Sequence, residues 1–149
     1  MAINPNSAFV ANAVLPASQM NRLPFGILGK TNAASYSTTT AGYETFITTT
    51  ATVMANRSIK VSIQLQPYGY VGGFNIQVLE GATQIFASFS LVFSATDAIP
   101  NNYVFVYTPS SAGAKTYEVQ LQRVGGANLN QYTDPTKLAQ IIIEDVGTA

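Results

Sequence analysis

The carboxylates are the side chains of this sequence with the widest catalytic scope, and their placement argues against catalysis. Acid–base chemistry by carboxylates needs two of them held close together in different environments. The seven acidic residues are instead spread along the 149-residue chain. Glu144 and Asp145 are adjacent, but adjacent residues of a strand point to opposite faces. Glu80 and Glu118 could meet only by an accident of the fold, since no sequence pattern brings them together. We therefore expect each carboxylate to be solvated or ion-paired at the surface.

The other residue types that support catalysis or metal binding are missing or lack a motif. The chain has no histidine and no cysteine, which excludes Ser-His-Asp and Cys-His arrangements and zinc sites built on those ligands. A Ser-Lys pair is formally possible, but no local motif supports one. Glycines at positions 69, 72, 73, 125 and 126 form two clusters, but no helical pattern follows them, as a phosphate-binding loop requires. We predict turns there, and no catalytic residue, metal or cofactor.

Five tyrosines offer the one remaining ligand-binding possibility. Aromatic rings stack on ligands, and polar neighbours supply hydrogen bonds, so these side chains are candidates for a sugar-binding face. The candidates are Tyr68, Tyr70, Tyr103, Tyr107 and Tyr132. β-Domains use tyrosine routinely in cores and at subunit contacts, and the chain has no tryptophan. We therefore favour core or subunit contacts over a glycan site.

The charge pattern excludes two classes of partner. Seven basic and seven acidic residues give a net charge of zero, and no run of Lys or Arg occurs. Binding to nucleic acid or to an anionic membrane surface needs clustered positive charge, so neither is expected. No apolar run approaches the roughly 20 residues of a membrane helix, and the N-terminus has no secretory signal pattern. Charged residues are only 9% of the chain, which favours a surface partly covered by other subunits.

The body of the chain, from about residue 30, has the alternation of β-strands. Residues 58–66 give the clearest case, because Ile59, Val61, Ile63 and Leu65 share one face of the predicted strand. Further strands are predicted at 43–53, 74–78, 84–93 (with an irregularity near Phe86), 103–108, 117–121 and 138–145, with loops at 97–102 and 125–135. About seven to nine short strands predict an all-β fold, an antiparallel sandwich or jelly roll.

Ahead of this body lies an apolar segment that does not have a strand or helix pattern. Pro5, Pro16 and Pro24 interrupt residues 1–29, yet apolar side chains are too frequent for a solvated tail. We predict two parts: an extended anchoring arm, residues 1–29, and a β-sandwich domain, residues 30–149. The predicted partner-binding residues of the arm are Phe9, Val10, Val14, Leu15, Met20, Leu23 and Phe25. The alternative is an arm that folds back on its own domain.

Two stretches of the sequence resemble a known family. Residues 14–29 read VLPASQMNRLPFGILG and residues 141–147 read IIIEDVG. They resemble the two ends of small virion structural proteins of tailed bacteriophages, with V-L-T-A-x-x-M-N and L-P-x-G-x-L-G near the start and E-D-[IV]-G near the end. Pro16 stands where that pattern has threonine, and Lys30 where it has an aromatic residue. The body of the chain agrees with the family in its β-character alone.

The resemblance implies a non-enzymatic virion protein, either a capsid decoration (cement) protein or a minor tail protein. It implies assembly in the host cytoplasm, and the major capsid protein or another virion protein as partner of the arm. A flat, charge-poor sandwich face also suits a homo-oligomer, for which we expect a trimer. The alternatives are a tail or fibre protein with a host-glycan face on residues 68–73 and 125–134, and a soluble carbohydrate-binding module or trimeric signalling-type jelly roll unrelated to virions.

Overall fold

The computed structural model describes residues 22–33, 36–38, 41–68, 72–92, 99–125, 128–131 and 139–148. These residues form eleven β-strands: β1 (Gly26–Asn32), β2 (Tyr36–Thr38), β3 (Glu44–Val53), β4 (Arg57–Leu65), β5 (Pro67–Tyr68), β6 (Gly72–Glu80), β7 (Thr83–Val92), β8 (Asn101–Tyr107), β9 (Gly113–Val124), β10 (Leu129–Gln131) and β11 (Gln140–Thr148). Over these ranges no helix is long and apolar enough to cross a membrane.

Two four-stranded sheets make up the domain. The front sheet has the order β1-β11-β4-β8 and the back sheet the order β3-β9-β6-β7. The short strands β2, β10 and β5 form a third, small sheet. Neighbouring strands in the three sheets run antiparallel. The predicted all-β antiparallel sandwich is confirmed, and the eight strands of its two main sheets fall within the predicted number.

The core lies between the inward faces of the two main sheets. The alternation predicted for residues 58–66 is confirmed, since Ile59, Val61, Ile63 and Leu65 are all buried. Opposite them, the back sheet contributes alternate residues of β6 and β9. These are Phe74, Ile76, Val78, Tyr117, Val119 and Leu121. Each buried aliphatic side chain of this kind stabilises the fold by about 1.5–3 kcal/mol relative to its exposed state.

The two lateral sides of the sandwich are closed in different ways. On one side β1 approaches β3 so closely that a Cβ on Gly29 would lie 2.6 Å from the carbonyl oxygen of Thr50. Glycine is therefore required where these backbones meet. On the other side Phe86 of β7 stacks on Phe105 of β8, with ring centroids 4.6 Å apart and planes 6° apart. The irregularity predicted near Phe86 is confirmed as a register shift in the β6–β7 pair.

The structure differs from the predicted boundaries at several points. Gly26–Gly29 were assigned to the arm, but they belong to β1, because their backbone pairs with β11. Asn101 and Asn102 belong to β8 rather than to the preceding loop, and β10 interrupts the polar loop predicted at 125–135. Gly72 and Gly73 are not turn residues, since they begin β6.

Candidate functional site at the root of the arm

The two stretches that carry the family resemblance meet in the front sheet. β1 pairs antiparallel with β11, and Gly26 lies opposite Asp145 in this ladder. The L-P-x-G-x-L-G segment is thereby joined to the E-D-V-G segment, although about 120 residues separate Phe25 from Asp145 in sequence. We call the region around this junction, residues 22–26 with Arg57 and residues 145–147, the arm root. It is the point at which the predicted arm reaches the sandwich.

A buried ion pair lies at the centre of the arm root. Arg57, at the start of β4, is 4% exposed and Asp145 of β11 is 1% exposed. The contact is bidentate: Nε of Arg57 donates to Oδ2 of Asp145, and Nη2 donates to Oδ1 at 2.7 Å. Two parallel hydrogen bonds between a guanidinium and a carboxylate fix the direction of both side chains. The pair therefore provides a rigid reference point at the end of the front sheet.

The same ion pair also holds the segment that precedes β1. Nη2 of Arg57 donates a hydrogen bond to the carbonyl oxygen of Leu23. The Phe25 ring lies over the guanidinium, with 4.1 Å from Cζ of Arg57 to the ring centroid, a cation–π geometry. The Phe25 amide donates a long hydrogen bond, 3.5 Å, to Oδ1 of Asp145. Backbone, ring and amide of this segment thus all contact one ion pair.

Two glycines shape the backbone around the pair. Gly26 has a φ of 77° and Gly147 a φ of 119°, both in the left-handed region that favours glycine. A register shift between Asp145 and Gly147 turns the Gly147 amide back, so that it donates to Oδ1 of Asp145 at 2.9 Å. A Cβ on Gly147 would lie 3.2 Å from the carbonyl oxygen of Arg22. The glycine of E-D-V-G leaves room for the chain that enters β1.

The environment shifts the pKa of both members of the pair toward the charged state. Burial alone would raise the pKa of Asp145, but hydrogen bonds from Arg57, Gly147 and Phe25, with the Arg57 charge, hold it below its ordinary value. The hydrogen bond to Asp145 raises the pKa of Arg57, although burial opposes this. Both groups are therefore ionised across the physiological pH range.

The structure places two of the predicted arm residues at this site. Leu23 and Phe25 are each 52% exposed, so their backbones and the Phe25 ring contact the sandwich while much of each side chain remains accessible. The other five, Phe9, Val10, Val14, Leu15 and Met20, lie outside the described residues.

Sequence reasoning missed Arg57 and misplaced Asp145. Glu144 and Asp145 do point to opposite faces: Glu144 pairs with Lys60 at 2.7 Å in a half-exposed position. Asp145, however, is a buried ion-pair partner and not a surface carboxylate. The signal was present in the alternation of β11, because Ile141 and Ile143 face inward and Asp145 continues the same face.

A second polar cluster lies between the sheets at the same end of the strands as the arm root, since Tyr107 of β8 pairs with Ile59, which pairs with Asp145. The hydroxyl of Tyr107 contacts that of Tyr117 and donates to Oε2 of Glu80 at 2.7 Å. Nζ of Lys115 lies 3.1 Å from Oε1 of the same carboxylate. Burial, followed by the contacts with Tyr117 and Glu80, raises the pKa of Tyr107 far above its ordinary value. Glu80 is thus ion-paired, and the tyrosines remain protonated.

The five tyrosines considered for a sugar-binding face do not form one in the described residues. Tyr103 and Tyr107 face the interior, where Tyr103 contacts Ser90 and packs edge-on against Phe86. Tyr68 lies in β5, and Tyr70 and Tyr132 lie outside the described residues. Within the described ranges no group of three or more acidic side chains is arranged to hold a metal ion.

Comparison with known proteins gives similarity of fold only. No protein-family model matches the chain, and no curated protein matches it. Among solved structures, dimeric latent PorU from Porphyromonas gingivalis is similar over 85% of this chain, at 9% identity and a TM-score of 0.48. A structure of infectious bursal disease virus, Gt strain, is similar over 93%, at 14% identity and a TM-score of 0.40. A structure described as CBM4 is similar over 72%, at 13% identity and a TM-score of 0.35.

This chain spans only part of each of these proteins. It corresponds to 13% of the PorU chain, 43% of the viral chain and 68% of the CBM4 chain.

Proposed function

We propose that this protein is a non-enzymatic structural protein of a tailed-bacteriophage virion, a capsid decoration or cement protein. Its partner is the major capsid protein or another virion protein, which the N-terminal arm binds. The observation that carries the proposal is the arm root: the two stretches that resemble the family ends meet at one buried ion pair, which holds Leu23 and Phe25. Because the arm root holds residues 22–26 in place, the apolar segment before it starts from a fixed position on the sandwich, which suits binding to a partner.

In this proposal the arm spans the distance to the partner, and the arm root fixes the direction in which the arm leaves the sandwich. Residues 1–21 include the apolar predicted contacts and carry no charged side chain. An extended segment of 21 residues reaches about 70 Å, at about 3.3 Å per residue. Such a segment binds well by adding a strand to a neighbour's sheet edge, where main-chain hydrogen bonds give affinity and alternate side chains give specificity. Bridging adjacent capsid subunits in this way stabilises the shell, because the added contact exists only in the assembled state.

The surface of the sandwich supports the proposed self-association. At the β8 edge of the front sheet, as far as the structure describes the chain, Val104 and Val106 are 62% and 57% exposed, and β8 contains no charged residue. Uncharged, apolar edge strands favour pairing with another chain. A homotrimer assembled in the host cytoplasm and carried on the virion is the form that we propose. A location in the tail is the alternative, and copy number separates the two: hundreds per particle for a capsid protein, far fewer for a tail protein.

The test is a binding assay with capsids that lack this protein. Because β1 begins at Gly26, the deletion should end at residue 21 and leave the arm root intact. We expect the truncated protein to fold, as checked by its circular dichroism spectrum and melting temperature, and to lose capsid binding in co-sedimentation. Phe89→Ala, on the back sheet, serves as the matched control and should bind like the unmodified protein. Undiminished binding by the truncated protein would overturn the proposal.

A further inference from the structure

One exposed aromatic ring on the outer face of the back sheet lies over a glycine. Phe89 of β7 is 51% exposed and packs over Gly73 of β6, where a Cβ would overlap its ring. A side chain at position 73 would force the ring off the sheet, which explains why glycine interrupts the strand there. Part of the ring thus covers the backbone of Gly73, and about half of the side chain is open to solvent. This glycine is one that the sequence pattern had assigned to a turn.

Rows of amide side chains adjoin this ring. Asn75 lies directly opposite Phe89 in the β6–β7 ladder and donates from Nδ2 to Oε1 of Gln122 at 2.9 Å. In the next row Gln77 donates from Nε2 to Oε1 of Gln120 at 2.7 Å. Gln120 in turn donates to Oγ1 of Thr45 at 3.3 Å. Among the described residues, the carbonyl oxygens of Asn75 and Gln77 accept none of these hydrogen bonds and remain available as acceptors.

The charge of this face limits which ligand fits it. The two rows that cross the sheet, Gln122–Asn75–Phe89 and Thr45–Gln120–Gln77–Ala87, contain no charged residue. The nearest carboxylate, Glu118, accepts hydrogen bonds from Thr45 and Gln120, both at 3.2 Å. Without Lys or Arg in these rows, phosphate backbones and anionic lipids find no counter-charge. A neutral ligand with many hydroxyl groups matches the surface better.

We infer that this surface, made by Phe89, Asn75, Gln77, Gln120 and Gln122, binds a neutral oligosaccharide. The exposed part of the Phe89 ring stacks on the apolar face of one sugar unit, which buries apolar area at a small entropic cost. The carbonyl oxygens of Asn75 and Gln77 accept hydrogen bonds from sugar hydroxyls, while Gln120 and Gln122 hold these two amides in place. Four strands about 4.8 Å apart give the face a width of about 14 Å, enough for more than one sugar unit. The surface is on the opposite sheet from the arm root, so this activity is independent of attachment.

The experiment uses the full-length protein and calorimetric titration with four neutral hexasaccharides, namely cellohexaose, laminarihexaose, xylohexaose and mannohexaose. We expect at least one to bind, with affinity reduced at least tenfold by Phe89→Ala and retained by Phe89→Tyr, which keeps the ring. Asn75→Ala should weaken binding without changing the melting temperature. Met54→Ala, which removes an equally exposed apolar side chain between β3 and β4, is the matched control and should bind normally.

Three results would overturn the inference. They are no binding to any of the four sugars, equal binding by the unmodified protein and Phe89→Ala, and a change in oligomeric state by Phe89→Ala in light scattering without sugar binding. The last would show that a second copy of the chain covers the ring. Capsid co-sedimentation of the same variants separates this inference from the proposed attachment, because Phe89→Ala should retain capsid binding in every case.

Discussion

At the scale of single residues, the Arg57–Asp145 pair positions the chain more than it stabilises the fold. Burying two charges costs several kcal/mol per ion, and their attraction only offsets this when geometry and further hydrogen bonds are good. Here the guanidinium also binds the Leu23 carbonyl and the Phe25 ring, and the carboxylate receives the Gly147 amide. The pair therefore adds little to the free energy of unfolding, but a conformation that leaves one of the two charges buried without its partner is strongly destabilised. The pair therefore selects one path for residues 22–25 into the sheet.

Removing one charge of this pair tests that view. Asp145→Asn keeps the size of the side chain but leaves Arg57 buried without a counter-charge, so we expect a loss of about 3–5 kcal/mol in the free energy of unfolding. Glu144→Gln is the neighbouring control, since its half-exposed pair with Lys60 contributes at most about 1 kcal/mol. Urea denaturation measures both. Equal effects of the two substitutions would contradict the proposed burial of Asp145.

The pH dependence of stability follows from the same residue. The pKa of Asp145 is lower in the folded protein than in the unfolded chain, where it is about 3.9. Its contribution to stability is therefore fully present above that value and is lost as the pH falls through the folded pKa. We expect the urea midpoint to fall as the pH falls below about 4. In Asp145→Asn this part of the decline should be absent; an unchanged decline would assign it to other carboxylates.

At the scale of elements, β1 connects residues 22–25 to both sheets. It pairs with β11 in the front sheet and lies against β3 of the back sheet at Gly29. This close approach needs a residue without a side chain, because the nearest obstacle, the Thr50 carbonyl, is backbone and cannot rotate away. Residues 22–25 therefore continue directly into a strand that is fixed on two sides.

Substitution of this glycine should loosen β1 selectively. Gly29→Ala would place a Cβ 2.6 Å from the Thr50 carbonyl oxygen and 3.2 Å from Cβ of Ala51, and we expect a cost of about 1–3 kcal/mol. Hydrogen exchange of the β1 amides should accelerate, since β1 must move away from β3. Gly81→Ala, in the β6–β7 turn with open space around it and a φ of 59°, introduces strain elsewhere. It should leave β1 exchange unchanged, and acceleration in both variants would contradict the local explanation.

The longer strands were predictable because the alternation of apolar and polar residues that marks a strand lies within the strand itself. Alternation in β4, β6, β9 and β11 is visible in the sequence, and burial follows it residue by residue. β5 and β10 were missed because two or three residues around Pro67 or in a polar loop are too short to show alternation. β1 was missed because it has two glycines and few side chains to alternate.

At the scale of the whole molecule, what the sequence could not predict is which distant segments meet. Arg57 and Asp145 are 88 positions apart, and nothing local to either marks the other as its partner. The motif resemblance named both ends of the chain as important without showing that they touch. The position of the Phe89 ring is a similar case, since its contact with Gly73 follows only once β6 and β7 are paired in register. Composition and alternation predict the strands and their buried faces. Which residues meet at a site depends on how distant strands pair, which these patterns do not show.

The pairing of β1 with β11 also determines when, during synthesis of the chain, β1 can join the front sheet. The strand that begins the described chain, Gly26–Asn32, closes against the strand that ends it, Gln140–Thr148. A polypeptide leaves the ribosome from its N-terminus at about 5–20 residues per second, so β1 waits for its neighbour until synthesis has passed residue 148. A chain that stops before β11 contains residues 22–25 but lacks Asp145 and Gly147. Such a chain cannot fix residues 22–25 at the arm root, because the carboxylate that Arg57 and the Phe25 amide both contact is missing.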